Sequence, residues 1–416
     1  MSDLFSLPSF VDIYFISVAL FCGILAALIY RDRKNIEFHY ILLIRRTQHG
    51  KKLIDRIAQA SPMIWKLIST VFVLLAFYFM ASGLYTMIMA AKLIVERTLT
   101  MPALQLVIPL PRPKPISGPG YLLVPFWFWI ILVPFFMFPH EISHGIIARA
   151  HKIRLKSVGL LLLAVIPGAF VEPDDKQIKR AKALTKLRIF SAGSIANIIV
   201  VFIFILIASQ IIWPSIYAGL TIVDVNENAP AGKAGLKAGM KLEKIDDKPV
   251  SIEYNDFELA YSLLLMTSSN VTINNTKALG IRIAMYKILS KYKPGDKINI
   301  VADSKVYELV LGQHPANSTL PYIGVTLRMD EKRAANFEFS TLLPLLWWIT
   351  TIGYAVAIFN LLPIYPLDGG LMVEAVASYI FRKEQKVKQI TRCVTIATLG
   401  LVAFNFIGPY ILQSFA

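Results

Sequence analysis

Charged residues are scarce in this chain. They make up 17% of its 416 residues, where a soluble globular protein averages about 25%. Hydrophobic residues reach 56% and the mean hydropathy is +0.57. A deficit of charge sustained over that length excludes a water-soluble enzyme and a disordered scaffold. Cysteine is nearly absent as well. Cys22 and Cys393 both sit in apolar runs, which excludes a disulfide framework and a cysteine-based zinc site. Acidic residues are outnumbered 27 to 43, for a net charge of +16. Such a balance could point to nucleic acid, and the placement of the charges decides against it.

Long apolar runs are what the chain has in abundance. A membrane helix needs about 20 mostly apolar residues, and five segments qualify: 11–30, 67–93, 189–213, 341–362 and 393–415. A sixth runs from Tyr121 to Ala150, with His140, Glu141 and His144 inside it. The first segment lacks the basic start and small-residue cleavage site of a signal peptide and is expected to be a retained helix. Segments 31–66, 149–188 and 382–392 together hold 24 Lys and Arg against 7 acidic residues, a surplus of 17 that exceeds the net charge of the whole chain. The basic charge therefore marks cytoplasmic loops, and no nucleic-acid partner is expected. Six alternating helices then place both termini and residues 214–340 outside. The expected fold class is mainly α: a polytopic protein of the lipid bilayer with an inserted extracytoplasmic α+β domain. Its divisions are 1–120 (two helices and an external loop), 121–213 (first part of a membrane core), 214–340 (the inserted domain) and 341–416 (second part of the core and a last helix). Leu160–Val171 is apolar, too short to cross as a helix and broken by Pro167-Gly168, so it is expected to be interfacial or re-entrant. Pro111–Gly120 reads as an external Pro/Gly-rich loop.

Within 214–340 the charges become regular and the apolar runs shorten. Thr221–Val225, Lys297–Val301 and Val306–Leu311 read as strands. The stretch from Asn228 to Val250, with Pro230-Ala-Gly-Lys-Ala-Gly-Leu236 and Lys244-Ile-Asp-Asp-Lys-Pro-Val250, resembles the central signature of a PDZ domain. Lys293-Pro-Gly-Asp296 fits a later part of the same pattern. Met240 stands where that family usually has Asp, and residues 252–290 form an unusually long helical insertion.

His140-Glu141-Ile142-Ser143-His144 is an H-E-x-x-H motif. Positions i and i+4 share a helix face, so both imidazoles can reach one zinc ion, with Glu141 placed to take a proton from water on it. Three ionisable groups inside a hydrocarbon-spanning segment are costly and are kept for function. A catalytic zinc needs a third protein ligand and an open position. His151, Glu172, Asp174 and Asp175 lie nearby but read as solvated loop residues. Asp368 is the better candidate, because it ends an apolar run broken by Pro363 and Pro366 and is followed by Gly369 and Gly370. That arrangement holds one carboxylate at a fixed depth.

Together, H-E-x-x-H in one membrane segment, Asn360-Leu-Leu-Pro363 with Leu367-Asp-Gly369 in a later one, and a PDZ-like domain between them resemble the site-2 protease family of intramembrane zinc metalloproteases. The resemblance spans about residues 120–380. It implies His140, His144 and Asp368 as ligands of one zinc ion and Glu141 as general base. It implies substrates that are transmembrane segments of membrane proteins, cut after a first cleavage outside the membrane. Ser191-Ala-Gly-Ser-Ile-Ala-Asn197 matches a further pattern of the family. Asn197 and Asn360 would then contact the substrate backbone or the oxyanion, helix packing being their alternative role. The PDZ-like domain would screen new substrate C-termini outside the membrane, with Tyr217–Leu220 or Tyr322–Val325 as its carboxylate loop. The zinc site would lie in the bilayer toward the cytoplasm. A zinc transporter or sensor, and a non-proteolytic PDZ-bearing adaptor, are the rival readings.

Overall fold

The computed structural model describes residues 10–40, 42–111, 115–163, 166–267, 271–332, 335–381 and 383–414. The chain divides into two compact units, one of residues 1–202 and 348–416, the other of Ile203–Trp347.

The first unit is built on long apolar helices. These are α1 (Phe10–Asp32), α3 (Pro62–Val95), α4 (Phe126–Ala150), the start of α6 (Ala183–Leu206), most of α11 (Leu343–Leu361) and α13 (Glu384–Ser414), with the shorter α2 (His49–Ala60), α5 (Asp175–Arg180) and α12 (Asp368–Ile380). By length and composition, the six long ones suit a membrane span. Several outrun the apolar segments that announced them: α13 takes in the basic residues from Glu384 onward, and α6 starts at Ala183. Both extensions are runs of helix formers that continue the backbone hydrogen bonding beyond the hydrocarbon. α3 opens with Pro62 at its first turn, where the missing N–H has no intrahelical use. Ala76 and Met80 of α3 meet Ile195 of α6, Leu361 of α11 and Met372 of α12. Gly83 lets α3 close on Ile358, whose methyl would stand 2.8 Å from an added Cβ. Small residues at such contacts let helices approach where no hydrophobic effect drives them together.

Three segments hold strands that the sequence reading did not assign. Leu160–Val171 is part of a β-hairpin, β6 (Leu155–Leu163) and β7 (Ile166–Pro173). The basic segment 31–66 is not a plain loop, since it carries β1 (Ile36–His39), β2 (Leu42–Thr47) and α2. The four strands form one antiparallel sheet in the order β1-β2-β6-β7, with Leu42 opposite Leu163 and Gly159 opposite Phe170. The ladder satisfies backbone groups that a short apolar segment would otherwise leave unpaired. Arg46 ties all four strands: its Nε donates to Glu37 Oε1 (3.0 Å), and its Nη1 to Ser157 Oγ (2.8 Å) and Glu172 Oε2 (2.6 Å). Beneath the sheet, Ile54 and Ala58 of α2 pack on Ile146, Ile147 and Ala148 of α4, beside an Asp55–Arg149 ion pair. A three-stranded sheet, β3 (Leu106–Leu110), β5 (Tyr121–Pro125) and β4 (Ile116–Gly118), precedes α4, so the helix starts at Phe126 and not at Tyr121.

The second unit continues α6 through a π-helical turn (Ile207–Ile212) and α7 (Trp213–Ile216). Its sheet runs β12-β11-β9-β8-β15, with β8 Tyr217–Val225, β9 Lys241–Ile245, β11 Lys297–Ala302, β12 Lys305–Val310 and β15 Val325–Glu331. Short α8 (Pro230–Lys233) follows β8, and β10 (Lys248–Pro249) folds back on β9 around Asp246. Asp246 accepts from the Asn299 N–H (2.8 Å) and the Tyr292 hydroxyl (2.6 Å); that hydrogen bond pushes the Tyr292 hydroxyl up to about 12. The segment expected to be helical is two helices, α9 (Tyr254–Thr267) and α10 (Ile273–Leu289). Trp213 stacks on Tyr217 at 5.7 Å and donates to the Ile252 carbonyl (2.7 Å), anchoring α9. β13 (Gly312–His314) and β14 (Asn317–Tyr322) form a separate hairpin. A cavity of about 520 Å³ lies between α10 and the start of β15, lined by Ile281, Arg282, Met285, Tyr322 and Gly324 among others.

The Arg46 clasp makes the four-stranded sheet sensitive to acid. The Ser157 hydroxyl, and then Arg46, hold Glu172 below its ordinary 4.5. The clasp is therefore complete above pH 4.5 and is lost as pH falls through the lower, folded-state value. Hydrogen exchange of the β2 and β6 amides should accelerate across that interval, and Glu172→Gln should flatten the dependence. Equal protection at every pH in the wild-type protein would contradict the clasp.

Candidate metal centre

His140 and His144 lie one turn apart on α4, as the spacing requires. Their rings meet edge to face, with centroids 4.7 Å apart and Nε2 atoms 3.1 Å apart. Asp368 arrives from 224 residues downstream and turns its two oxygens to the rings: Oδ2 is 3.5 Å from His140 Nε2, and Oδ1 is 3.3 Å from His144 Nε2. His140 and Asp368 are each only 9% exposed. One ligand atom from each of the three lies within 4.8 Å of the others.

A sharp turn carries Asp368 there. α11 ends at Leu361, the chain passes through Leu362–Leu367 with a cis Tyr365–Pro366 bond, and α12 opens on Asp368 itself. The two glycines after it allow the turn to close. A Cβ on Gly369 would stand 2.0 Å from the Leu361 carbonyl oxygen, and one on Gly370 would stand 2.4 Å from Ile364 C. No side chain fits against backbone at those distances, so Asp-Gly-Gly is a requirement of the fold at this point.

Glu141, next to the first histidine, points to the sheet. Its Oε2 accepts from the Val171 N–H of β7 at 3.0 Å, and His144 and Asp368 lie within its electrostatic reach. Asn197 is brought to the centre, with Nδ2 3.4 Å from His140 Nδ1. Asn360 is not: it lies in the last turn of α11, partly buried, and is not a hydrogen-bond partner of the three residues among the described ones. Two contacts escaped the sequence reading. Ser194 Oγ donates to Asp368 Oδ2 (2.7 Å), and the Ile189 carbonyl accepts from His144 Nδ1 (2.7 Å). Ser194 lies within the Ser191–Asn197 pattern, which was the available signal; a backbone carbonyl has none.

The donor set fits zinc. Two donors on tetrahedral arms of roughly 2.0–2.1 Å stand about 3.3 Å apart; here the two Nε2 atoms are 3.1 Å apart, and Asp368 comes to 3.5 Å of one through Oδ2 and 3.3 Å of the other through Oδ1. The backbone leaves space for the ion: a Cβ on Gly193 would lie 2.3 Å from His144 Nε2 and 2.7 Å from His140 Nε2. A set of two imidazoles and one carboxylate leaves one position of a tetrahedral ion open, the arrangement of a catalytic and not a structural site.

Comparison with known proteins agrees with this centre. Residues 128–402 match Peptidase family M50. The chain belongs to that family, the site-2 protease family of membrane zinc metalloproteases. It is 27% identical over 346 residues to an uncharacterised protein of Methanocaldococcus jannaschii, covering 82% of this chain and 79% of that one. It is 25% identical over 311 residues to a protein of Clostridium perfringens named "Putative zinc metalloprotease CPE1693", covering 63% of this chain and 90% of that one. With six long apolar helices, the family makes this an integral multi-pass membrane protein.

Gly369→Ala should displace Asp368 while leaving both histidines in place. Zinc affinity in the purified protein should fall by about ten-fold or more, read by competition with a chromophoric chelator. Wild-type affinity would mean that the close approach at Gly369 does not position the carboxylate.

Proposed function

We propose that this protein is an intramembrane zinc metalloendopeptidase that cleaves transmembrane segments of other membrane proteins. The observation that carries the reading is the meeting of His140, His144 and Asp368, beside Glu141, within an apolar helical bundle. His140, His144 and Asp368 would hold a zinc ion, which when bound would supply Lewis-acid polarisation of a carbonyl and activation of water near neutral pH. Glu141 takes the proton from the attacking water and delivers it to the leaving amine. The Val171 N–H holds the carboxylate for that work.

A substrate helix must unwind before its peptide bond can be attacked, and β7 suits the role of receiving the extended chain. It is an edge strand of its sheet, paired with β6 alone among the described residues. Because the Val171 N–H reaches Glu141 rather than β6, the outward edge of β7 at that point faces the general base. The two-residue alternation of a strand puts the N–H and C=O of Ala169 on the same edge as the Val171 N–H. Substrate pairing there would be strand addition.

The second unit is the PDZ-like part of this reading, a screen for substrate C-termini outside the membrane. Of the two candidate carboxylate loops, the one at Tyr322–Val325 is favoured. It lines the cavity beside α10 together with Arg282, and Gly324 turns there at φ +90°. Tyr217–Leu220 lies instead within β8, paired with β15. The near balance of charge over 217–328, 13 basic to 11 acidic, favours recognition of a terminus over broad electrostatic capture.

Three measurements test the proposal. Glu141→Gln should retain zinc and lose cleavage of a model membrane substrate by roughly 10²–10⁴-fold; persisting cleavage would rule out the mechanism with Glu141 as general base, and ion transport would be untouched by the change. Ala169→Pro should keep zinc but slow cleavage by removing an edge donor, and an unchanged rate would exclude strand addition at β7. Replacing 217–328 with a short linker should spare zinc binding and admit unshortened substrates. Loss of all cleavage with zinc still bound would show that the domain is obligatory for the reaction and is no mere screen.

A further inference from the structure

We infer that one face of α6 is the outer support of the metal centre, and that Asn197 positions His140 instead of contacting substrate. The inference rests on the zinc site proposed above and concerns the residues behind it.

Ile189, Gly193, Ser194 and Asn197 stand at i, i+4, i+5 and i+8 of one helix, a spacing that places all four on a single face. Each meets a different part of the centre. The Ile189 carbonyl accepts from His144 Nδ1 at 2.7 Å. The Ser194 hydroxyl donates to Asp368 Oδ2 at 2.7 Å. Gly193 leaves the space between the rings, since its Cβ would stand 2.3 and 2.7 Å from the two Nε2 atoms. Those are close to the lengths of metal–ligand bonds, so any side chain at 193 would compete with the ion for its place. Ser194 and Asn197 are 0% and 1% exposed, so neither hydrogen-bonds bulk water.

Asn197 follows from the tautomer of His140. Both rings turn Nε2 toward Asp368. An ion held at Nε2 leaves the ring proton on Nδ1, and that N–H requires an acceptor. His144 has one in Ile189. His140 has the Gly193 backbone within hydrogen-bond reach and also faces Asn197, whose Nδ2 lies at 3.4 Å while its Oδ1 is buried with no hydrogen-bond partner. Half a turn of the amide exchanges the two atoms and satisfies both needs: the Nδ1–H of His140 donates to Oδ1. The carbonyl is then committed to the ring. Three ligands thus have three distinct supports on α6, which accounts for Gly, Ser and Asn within the Ser191–Asn197 stretch.

The test measures zinc affinity of the full-length protein in detergent, by chelator competition, with the cobalt-substituted absorption spectrum as a second readout. Asn197→Ala and Asn197→Leu should weaken zinc by about 10–100-fold and alter the cobalt spectrum. Asn197→Asp, which keeps an acceptor facing Nδ1, should bind within a few-fold of wild type. Gly193→Ala should not bind zinc stoichiometrically. Should Gly193→Ala fail to fold, the Asn197 series decides alone. Wild-type zinc affinity in Asn197→Ala, with a raised KM on the model substrate, would overturn the inference and return Asn197 to the substrate. Failure of the wild-type protein to bind zinc, or wild-type affinity in Asp368→Ala, would instead bring down the zinc reading and this inference with it.

Discussion

Two imidazoles and two carboxylates inside an apolar bundle are the constraint on which the rest of this structure depends. Polar groups that leave water without partners cost several kcal/mol each in hydrocarbon. Each of the four accordingly meets its own partner group, three of them on α6 and one on β7. His144 is held by an α6 carbonyl, Asp368 by an α6 hydroxyl, Glu141 by a β7 amide, and His140 lies against an α6 side-chain amide. The consequences spread outward. α6 must come close enough to need glycine at 193, and the approach to Asp368 must be tight enough to need glycine at 369 and 370. α3 packs against α6, α11 and α12 together, fixing the elements that bring the four groups into register.

The candidate site residues were legible in the sequence because their chemistry is local. Histidines four apart in a helix share a face whatever the fold, and a carboxylate before two glycines in an apolar run has few other uses. The pairing of Asp368 with α4 rests on three-dimensional proximity, which the motifs imply but spacing along the chain cannot derive. The four-stranded sheet was illegible for a related reason. Leu160–Val171 has no alternation, so its apolar run could not be told from a short buried segment. Its partners Leu42–Thr47 lie more than a hundred residues away inside a basic stretch whose Arg and Lys read as a topology signal. One of those arginines, Arg46, is in fact the clasp of the sheet. Charge that marks one side of a membrane can also be structural.

In the second unit, turn chemistry made the strands readable. Asp246-Asp247 between β9 and β10, and Pro294-Gly-Asp before β11, punctuate the chain where the backbone reverses. The sequence could not choose between two glycine-containing loops, because both have an aromatic residue and a glycine followed by an aliphatic one. What separates them is environment: one is taken up in the β8–β15 ladder, and the other borders an open cavity with a basic side chain in it. Such a difference arises from which strands pair, and pairing is not a property of four residues.

On the proposed mechanism, β7 joins recognition to chemistry in one rigid piece. The Val171 N–H that holds Glu141 and the Ala169 groups available to a substrate strand are two residues apart on the same edge, about 6.6–6.8 Å along the strand. The general base is therefore referenced to the very backbone against which the substrate would be laid. A slip of β7 by one residue against β6 would turn every outward group inward, removing the edge donors and the Glu141 anchor at once. The Arg46 clasp, which reaches Glu172 beside Val171, opposes that slip. A basic residue in a segment that looked like loop thus acts, through the register of one strand, on the placement of the catalytic carboxylate.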